Sequence, residues 1–478
     1  MTTLLILLPL IVTALLNVIP KSAGRRVAPC AFLAVCALQL YLAGIMFFSP
    51  ESIYGWAPLG FSFHGSTDAL SSIVLFSSGL VSLCTMLSAM GMLKNKDSLL
   101  NFTSLALIAL LGMNAIASAT DLFTIYVFIE VTAIGSFILI ALPKGAKELE
   151  GAFKYIILSA VASVLMLSAI AVMIMFSGST SFAEIARFAV ELGSAKVVML
   201  SVGLFLCGAF IKSGVMPFHG WLPDAYSAAP TPVSILLAGI ITKASGVYVL
   251  LRLAITVFPT ISALSSTMMI FGAISIVVAA FAAITQRDMK RMLAYSSISQ
   301  VGYIILAAGC GTPLAIAGAA FHFFNHAVFK SLLFVSAASV ESATQTTDME
   351  HMGGLSQRMP LTGTASALGF LSAAGIPPLA GFWSKLIIII ALWQAGNFGY
   401  AFVAVLASVV TLGYFLVLQR RAFFGKLAHQ MEAVRESGFL FALPQVILSV
   451  ASIGGGFLFS FMIKAFGVVA PAAKVLGM

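Results

Sequence analysis

The sequence predicts an all-α polytopic membrane protein, and three observations carry that reading. Hydrophobic residues make up 60% of the 478 and charged residues only 9%, where a globular domain carries about 25% charged residues. Mean hydropathy is +1.09, so a water-soluble fold would have nowhere to put its apolar surface. The apolar runs are continuous and do not alternate, which sets aside a membrane barrel built of strands. A soluble enzyme, a disulfide-stapled domain and a disordered chain are excluded on the same grounds.

A helix needs about 20 apolar residues to cross roughly 30 Å of hydrocarbon. Fourteen runs qualify: 2–20, 28–48, 70–93, 100–119, 121–142, 152–177, 196–217, 230–254, 262–284, 292–310, 313–340, 361–394, 399–420 and 440–463. The first lacks a basic leader and a small-residue cleavage site, so it reads as a span and not a removable signal. With the N-terminus outside, 16 lysines and arginines fall on the inner side and five on the outer. That bias is the one expected of cytoplasmic loops, and it places both termini outside. Arg287, Lys290 and Arg291 read as an inner-face anchor. The net charge of +9 is accounted for by those loops; no basic patch interleaves with aromatics, so nucleic acid is not expected as a partner.

The five cysteines, Cys30, Cys36, Cys84, Cys207 and Cys310, form no CxxC pair and sit in or beside apolar runs. They read as packing residues. No iron–sulfur, haem, zinc or nucleotide pattern is present, so neither a metal nor a cofactor is expected in this chain.

Four lysines stand inside the apolar runs: Lys212, Lys243, Lys330 and Lys385. Glu130, His322 and His326 join them. An ionisable group in the membrane is unfavourable by about 2.5–3.5 kcal/mol on insertion scales, and such groups mark ion paths by default. Glu130 is near mid-span and can partner a lysine and tune its proton affinity. Lys212 is followed by Ser213, Gly214 and Pro217, the composition of an interrupted helix lining a polar cavity. Snorkelling to the interface is its bland alternative. Lys243 has about ten apolar residues on either side, too many to snorkel, and Thr242 and Ser245 could hold water beside it. His322, His326 and Lys330 follow at i, i+4, i+8, along one helical stripe. Two histidines at i, i+4 can bind a metal, but no third ligand is evident and a lysine one turn away disfavours a cation. Lys385 follows Pro377 and Pro378, which must interrupt the helix. His219 and Asp224, in the connection after Lys212, either cap that loop or take up protons.

The two interrupted runs suggest a repeat. Five spans over about 100–254 contain one and five over 262–424 contain the other; an odd number forces opposite orientation. The order of lysine and proline is reversed between them, and Glu130 has no acidic counterpart in the second half. The domain division is then 1–99, an N-terminal three-helix segment; 100–254 and 262–424, the repeats; and 440–478, a C-terminal helix.

The stretch KSGVMPFHGWLPDAYSAAPTPVSILLAGIITK, with ITQRDMKRMLAYSSISQVGYI, FHFFNHAVFKSLLF and GIPPLAGFWSK, resembles the antiporter-like subunits. These are the proton-translocating membrane subunits of respiratory complex I, multi-subunit Na+/H+ antiporters and complex-I-related hydrogenases and formate hydrogenlyases. The resemblance covers about residues 60 to 425. It implies fourteen helices with two inverted five-helix bundles, discontinuous at the seventh and twelfth. It implies a proton path in which Glu130 pairs with Lys212, Lys243 and the His322/His326/Lys330 region bridge the halves, and Lys385 reaches the exit side. It implies a prokaryotic cytoplasmic membrane and, as partners, further antiporter-like subunits, peripheral redox subunits, H+ or Na+, and lipid. The wording of the Lys212 and Lys385 motifs is most similar to the hydrogenase and D-type antiporter branch, which ranks a hydrogenase-type complex first. An antiporter subunit with no redox partner, a complex I subunit and a structural scaffold are the alternatives.

Overall fold

The computed structural model describes residues 1–49, 54–56, 63–193, 195–258 and 261–459. Lys464, Lys474 and the end of the 440–463 run lie outside the described residues. The helices in chain order are α1 Thr2–Val18, α2 Lys21–Phe48, α3 Ala69–Met92, α4 Lys96–Ser118, α5 Leu122–Ile140, α6 Ala146–Ser177, α7 Phe182–Leu192, α8 Lys196–Ser213, α9 Trp221–Ala228, α10 Thr231–Val257, α11 Ser262–Ile284, α12 Met289–Cys310, α13 Pro313–Thr344, α14 Pro360–Ala374, α15 Ala380–Gln394, α16 Phe398–Phe423 and α17 Phe439–Phe457. A small antiparallel hairpin, β1 Tyr54–Trp56 and β2 Phe63–Gly65, precedes α3. Twelve of the described helices are long and apolar enough to cross a membrane; α1 and α15 are apolar but shorter.

The expected runs appear as helices, and the differences have local causes. The 196–217 run stops at Ser213, because Gly214 adopts φ +68° and closes the helix end. The 361–394 run is two helices, broken after Gly375 at φ +84°. The short α7 was not among the expected spans.

Backbone hydrogen bonds reveal the repeat and its register. Leu122 N–H donates to Thr180 O at 3.0 Å, and Phe182 N–H to Thr120 O at 3.1 Å. At one constant offset in sequence, Met289 N–H donates to Thr347 O at 2.9 Å and Met349 N–H to Arg287 O at 3.0 Å. The same offset relates the helix caps: Asp121 accepts from Thr124 N–H and Asp288 from Arg291 N–H. It also relates α6 and α13, each 32 residues long.

The breaks repeat as well. Gly214 and Gly375 each end a helix in the left-handed conformation that glycine tolerates best. In one, Val215 N–H reaches Phe210 O at 3.1 Å; in the other, Ile376 N–H reaches Leu371 O at 3.0 Å. A prolyl bond follows in both, Met216–Pro217 and Pro377–Pro378. The segments G-V-M-P-F-H-G-W and G-I-P-P-L-A-G-F therefore coincide. This alignment explains the reversed order of lysine and proline: Lys212 corresponds to Ala373, and Lys385 to Asp224.

In both halves the broken helix packs on the long helix before it, α8 and α9 on α6, α14 and α15 on α13. Helix α13 also touches α3, α10, α12 and α17, making it the hub of the bundle. The apolar windows of α10 and α13 are entirely buried, whereas α6 and α11 turn most of theirs outward. Thus Lys243 and Lys330 ride on the two most enclosed helices.

Small residues allow the closest contacts, as membrane packing requires. A Cβ at Gly302 of α12 would lie 2.7 Å from Gly272 O of α11. Gly302→Val should therefore overpack this seam and destabilise the protein by about 1–3 kcal/mol. Gly413→Ala, in open space, should be neutral. Thermal unfolding of the purified protein in detergent compares the two.

Candidate ion-translocation site

The first buried lysine has a carboxylate. Lys212 Nζ lies 2.8 Å from Glu130 Oε1, and the two side chains are 1% and 29% exposed. Lys212 also donates to Ser159 Oγ at 2.6 Å, and Ser163 Oγ donates to Glu130 at 2.5 Å. Both serines lie on α6, one turn apart, so one stripe of a single helix serves both ends of the pair. The break after Lys212 is closed by Trp221, whose indole N–H donates to Ile211 O at 2.9 Å and whose ring stacks on Tyr155 at 4.1 Å. Lys212 does not snorkel.

Lys243 has no carboxylate beside it among the described residues. Its ammonium donates to the Ala238 carbonyl one turn earlier in α10. That carbonyl lies in Leu237–Ile241, which with Lys243–Val247 is wound as π-helix, a form that appears mostly as bulges and often at functional sites. Thr242 is bonded to Tyr226 Oη at 2.8 Å and to Leu237 O at 3.0 Å, and Ser245 to Ile241 O at 2.7 Å.

Helix α10 joins the halves by close approach. A Cβ at Gly246 would collide with Ser213 Oγ, beside Lys212; one at Gly239 would collide with Ser331 Oγ, beside Lys330.

The stripe on α13 is as expected. His322 and His326 rings are 6.3 Å apart and nearly parallel, and His322 Nδ1 lies 2.9 Å from Ser384 Oγ. His326 lies within electrostatic reach of Lys243, Lys330 and Lys385. Among the described residues, neither ring nitrogen of His326 has a protein partner, nor has His322 Nε2. Among the described residues no third metal-ligating side chain joins the two. Lys330 donates to Leu293 O at 3.1 Å and to Ser296 Oγ. Lys385 donates to Ala373 O at 2.7 Å, and its ammonium lies 4.6 Å from the Tyr303 ring centroid, a cation–π geometry.

The loop candidates separate. Asp224 bridges Lys154 at 2.7 Å and Arg291 at 2.6 Å. Burial would raise its carboxyl, but the hydrogen bonds and charges of Lys154 and Arg291 outweigh it and hold the group below the usual carboxylate range. His219 is half-exposed, bonded only to Pro217 O at 3.3 Å, and burial pushes its imidazole below the ordinary value.

Two further basic residues are built into the helix bundle. Lys290 is buried, donating to Ala229 O at 2.8 Å and to Thr231 Oγ1 at 3.2 Å. Arg252 forks onto Asp68 at 2.6 Å and also bonds Tyr248 and Ser71, tying α10 to the start of α3.

With this geometry in place, comparison with known proteins is informative. Residues 119–411 match the family model described as NADH:quinone oxidoreductase/Mrp antiporter, TM. The chain belongs to this family. It is 30% identical, over 95% of its length and 92% of the relative's, to the D-type membrane component of the Na(+)/H(+) antiporter of Alkalihalophilus pseudofirmus. It is 35% identical over 68% of its length to the N-type component of the NADH-quinone oxidoreductase of Desulforudis audaxviator, of which it spans only 65%. Among solved structures, a chain of the archaeal membrane-bound sulfane sulfur reductase is similar at TM-score 0.89 and 28% identity, covering 100% of this chain and 99% of that one. A chain of respiratory complex I from Thermus thermophilus has the same fold at TM-score 0.87 and 22% identity, with full coverage of both chains. The chain is thus an antiporter-like membrane subunit of the Mrp and complex I type.

Ser159, Ser163, Ser296 and Tyr303 are not marked by the sequence as site residues. The only available signal is spacing. Tyr155, Ser159 and Ser163 recur at i, i+4, i+8, and the repeat register places them opposite His322, His326 and Lys330.

Removing one partner of a buried pair typically costs about 3–5 kcal/mol, because the other charge is stranded. Glu130→Gln strands the fully enclosed Lys212, whereas Lys212→Met strands the partly exposed Glu130. The first should therefore destabilise more, and the double variant should cost less than the sum. Thermal midpoints of the four proteins check this. Asp224 adds a pH dependence. Its lowered value means its stabilisation is complete above the unfolded carboxyl near 3.9 and is lost as pH falls through the folded value. Asp224→Asn should flatten that acid limb in stability measured against pH.

Proposed function

We propose that this chain is a proton-translocating membrane subunit of a complex-I-like redox complex, of the hydrogenase or formate hydrogenlyase type. Protons move along Glu130, Lys212, Lys243, His326, Lys330, His322 and Lys385. The observation that carries the reading is the run of buried ionisable groups on helices that touch in succession, from the Glu130–Lys212 pair through the π turns of α10 to Lys385 at the second break. Unpartnered ring nitrogens on His322 and His326 are sites for water in such a wire, since a buried water typically needs two to four polar partners. The direction is from the cytoplasmic side into the first half, with His219 beside the uptake region, and out through Lys385. Asp224, held by two cations, positions that region.

In this reading the chain crosses the membrane fourteen times, with α1 and the α14–α15 pair counted as crossings. It divides at 1–99, 100–254, 262–424 and 440–478, has both termini outside, and sits in a prokaryotic cytoplasmic membrane. Further antiporter-like subunits and peripheral redox subunits surround it, and no cofactor resides in this chain. The pumping stroke is a charge change in a neighbouring subunit that weakens the Glu130–Lys212 pair and sends the Lys212 proton onward.

A second reading, an Na+/H+ antiporter subunit without a redox partner, is favoured by the near full-length similarity to the antiporter component of Alkalihalophilus pseudofirmus. The purified parent complex in liposomes tests both, wild type against Lys243→Ala. Proton movement should fall at least about tenfold, the scale of a lost proton-transfer group, with the complex intact. Unchanged movement in an intact complex sinks the path and favours a scaffold. Proton movement driven by an Na+ gradient with no electron donor selects the antiporter.

A further inference from the structure

One cluster of ionisable groups lies outside this path. Lys290, in the first turn of α12, is 5% exposed, and its ammonium is 4.0 Å from Glu341 of α13, which is 27% exposed. Thr231, the first residue of α10, joins them: it accepts from Lys290, and its hydroxyl donates to Glu341. The carboxylate is open to the surroundings while the lysine is sealed behind it. Asp288 and Glu148 also act electrostatically on Lys290.

The repeat makes this cluster stand out. In the register fixed by the backbone bonds, Lys290 corresponds to Phe123 and Glu341 to Ile174, which are 46% and 39% exposed on the outer surface of the first half. The second half has placed an acid and a base where its twin has lipid-facing apolar side chains. Ionisable groups at membrane-helix positions are costly and mark function by default.

Position along the helices supplies the connection. Glu341 follows Lys330 on the same face of α13 by three helical turns, about 16 Å at 1.5 Å per residue. Thr231 opens the helix that carries Lys243. Between them, Tyr226 Oη and Thr242 Oγ1 share a 2.8 Å hydrogen bond beside Lys243. The cluster therefore sits at the foot of both lysine-bearing helices, on the face marked by Lys154, Asp224 and Arg291.

We infer that Glu341, with Thr231 and Lys290, is a second proton-loading site, supplying the Lys243/Lys330 centre separately from the Glu130–Lys212 pair. It rests on the path proposed above. The carboxylate takes a proton from the aqueous side and becomes neutral. The Thr231 hydroxyl, which donates to Glu341 and accepts from Lys290, holds the carboxylate in place; the proton leaves Glu341 through water for a neutral lysine of the Lys243/Lys330 centre, which becomes an ammonium as Glu341 returns to a carboxylate. Lys290 is the positive charge that faces Glu341, 4.0 Å away.

The test uses the intact parent complex in liposomes under its own driving reaction, with Glu341→Gln, Glu341→Asp and Lys243→Ala. Assembled complex is quantified in each, and the rate is followed against pH on the loading side. Glu341→Gln should lower proton movement per assembled complex by up to about tenfold. Glu341→Asp should restore most of it with a displaced pH profile. Full movement in Glu341→Gln, or less assembled complex with unchanged movement per complex, overturns the inference and leaves a structural clamp. Loss in Lys243→Ala beside normal Glu341→Gln overturns this site alone. Normal movement in Lys243→Ala overturns the path, and this site with it.

Discussion

A lysine ammonium cannot be left in hydrocarbon without oxygen ligands, and much of this architecture follows from supplying them. Each intramembrane lysine is met differently. Lys212 has a carboxylate and a serine. Lys330 has a serine and a helix carbonyl. Lys243 and Lys385 depend on backbone carbonyls. Lys243 uses Ala238 O, within the π-wound part of α10. The break after Gly375 occupies Leu371 and Ser372 carbonyls with its own N–H groups and leaves Ala373 O for Lys385. Irregular backbone is tolerated at membrane depth only where it is buried in protein or lines a cavity, and here it is placed where a charge needs it.

The repeat then gives the same scaffold two chemistries. Tyr155, Ser159 and Ser163 on α6 occupy the positions of His322, His326 and Lys330 on α13. Position 130 is glutamate in the first half; its counterpart is Ser297. Lys212 corresponds to Ala373, whose carbonyl Lys385 uses, and Lys385 corresponds to Asp224. One half ties its buried lysine to a carboxylate and a serine. The other sets two histidines beside lysines held by backbone carbonyls.

Much of this was legible in sequence. Continuous apolar runs gave the helices, and ionisable residues inside them gave Glu130, Lys212, Lys243, Lys330 and Lys385. Gly and Pro marked both breaks. The repeat register was hidden because the charges sit at non-equivalent positions; it emerges from Asp121 and Asp288 capping equivalent helices and from Gly214 and Gly375 ending equivalent ones. Ser159 and Ser163 were hidden because serine is ordinary in membrane helices, where its hydroxyl usually returns to a carbonyl one turn back. Lys290 and Glu341 fell at run edges, where hydropathy cannot tell a loop anchor from a buried pair. No pattern in the sequence announced the π winding of α10.

That winding also bears on how the halves communicate. Gly246 lets α10 meet α8 beside Lys212, and Gly239 lets it meet α13 beside Lys330. Lys243 lies between these contacts, tied to a carbonyl of its own helix. When its ammonium loses the proton it keeps its donors but loses the charge that strengthens that bond. Tyr226 and Thr242 already hold the neighbouring Leu237 carbonyl, so the π turn has side-chain support in either state. A change of charge at Lys243 would therefore act on a backbone segment that meets both α8 and α13. Coupling by this route needs no large helix movement, because both neighbours are already in contact.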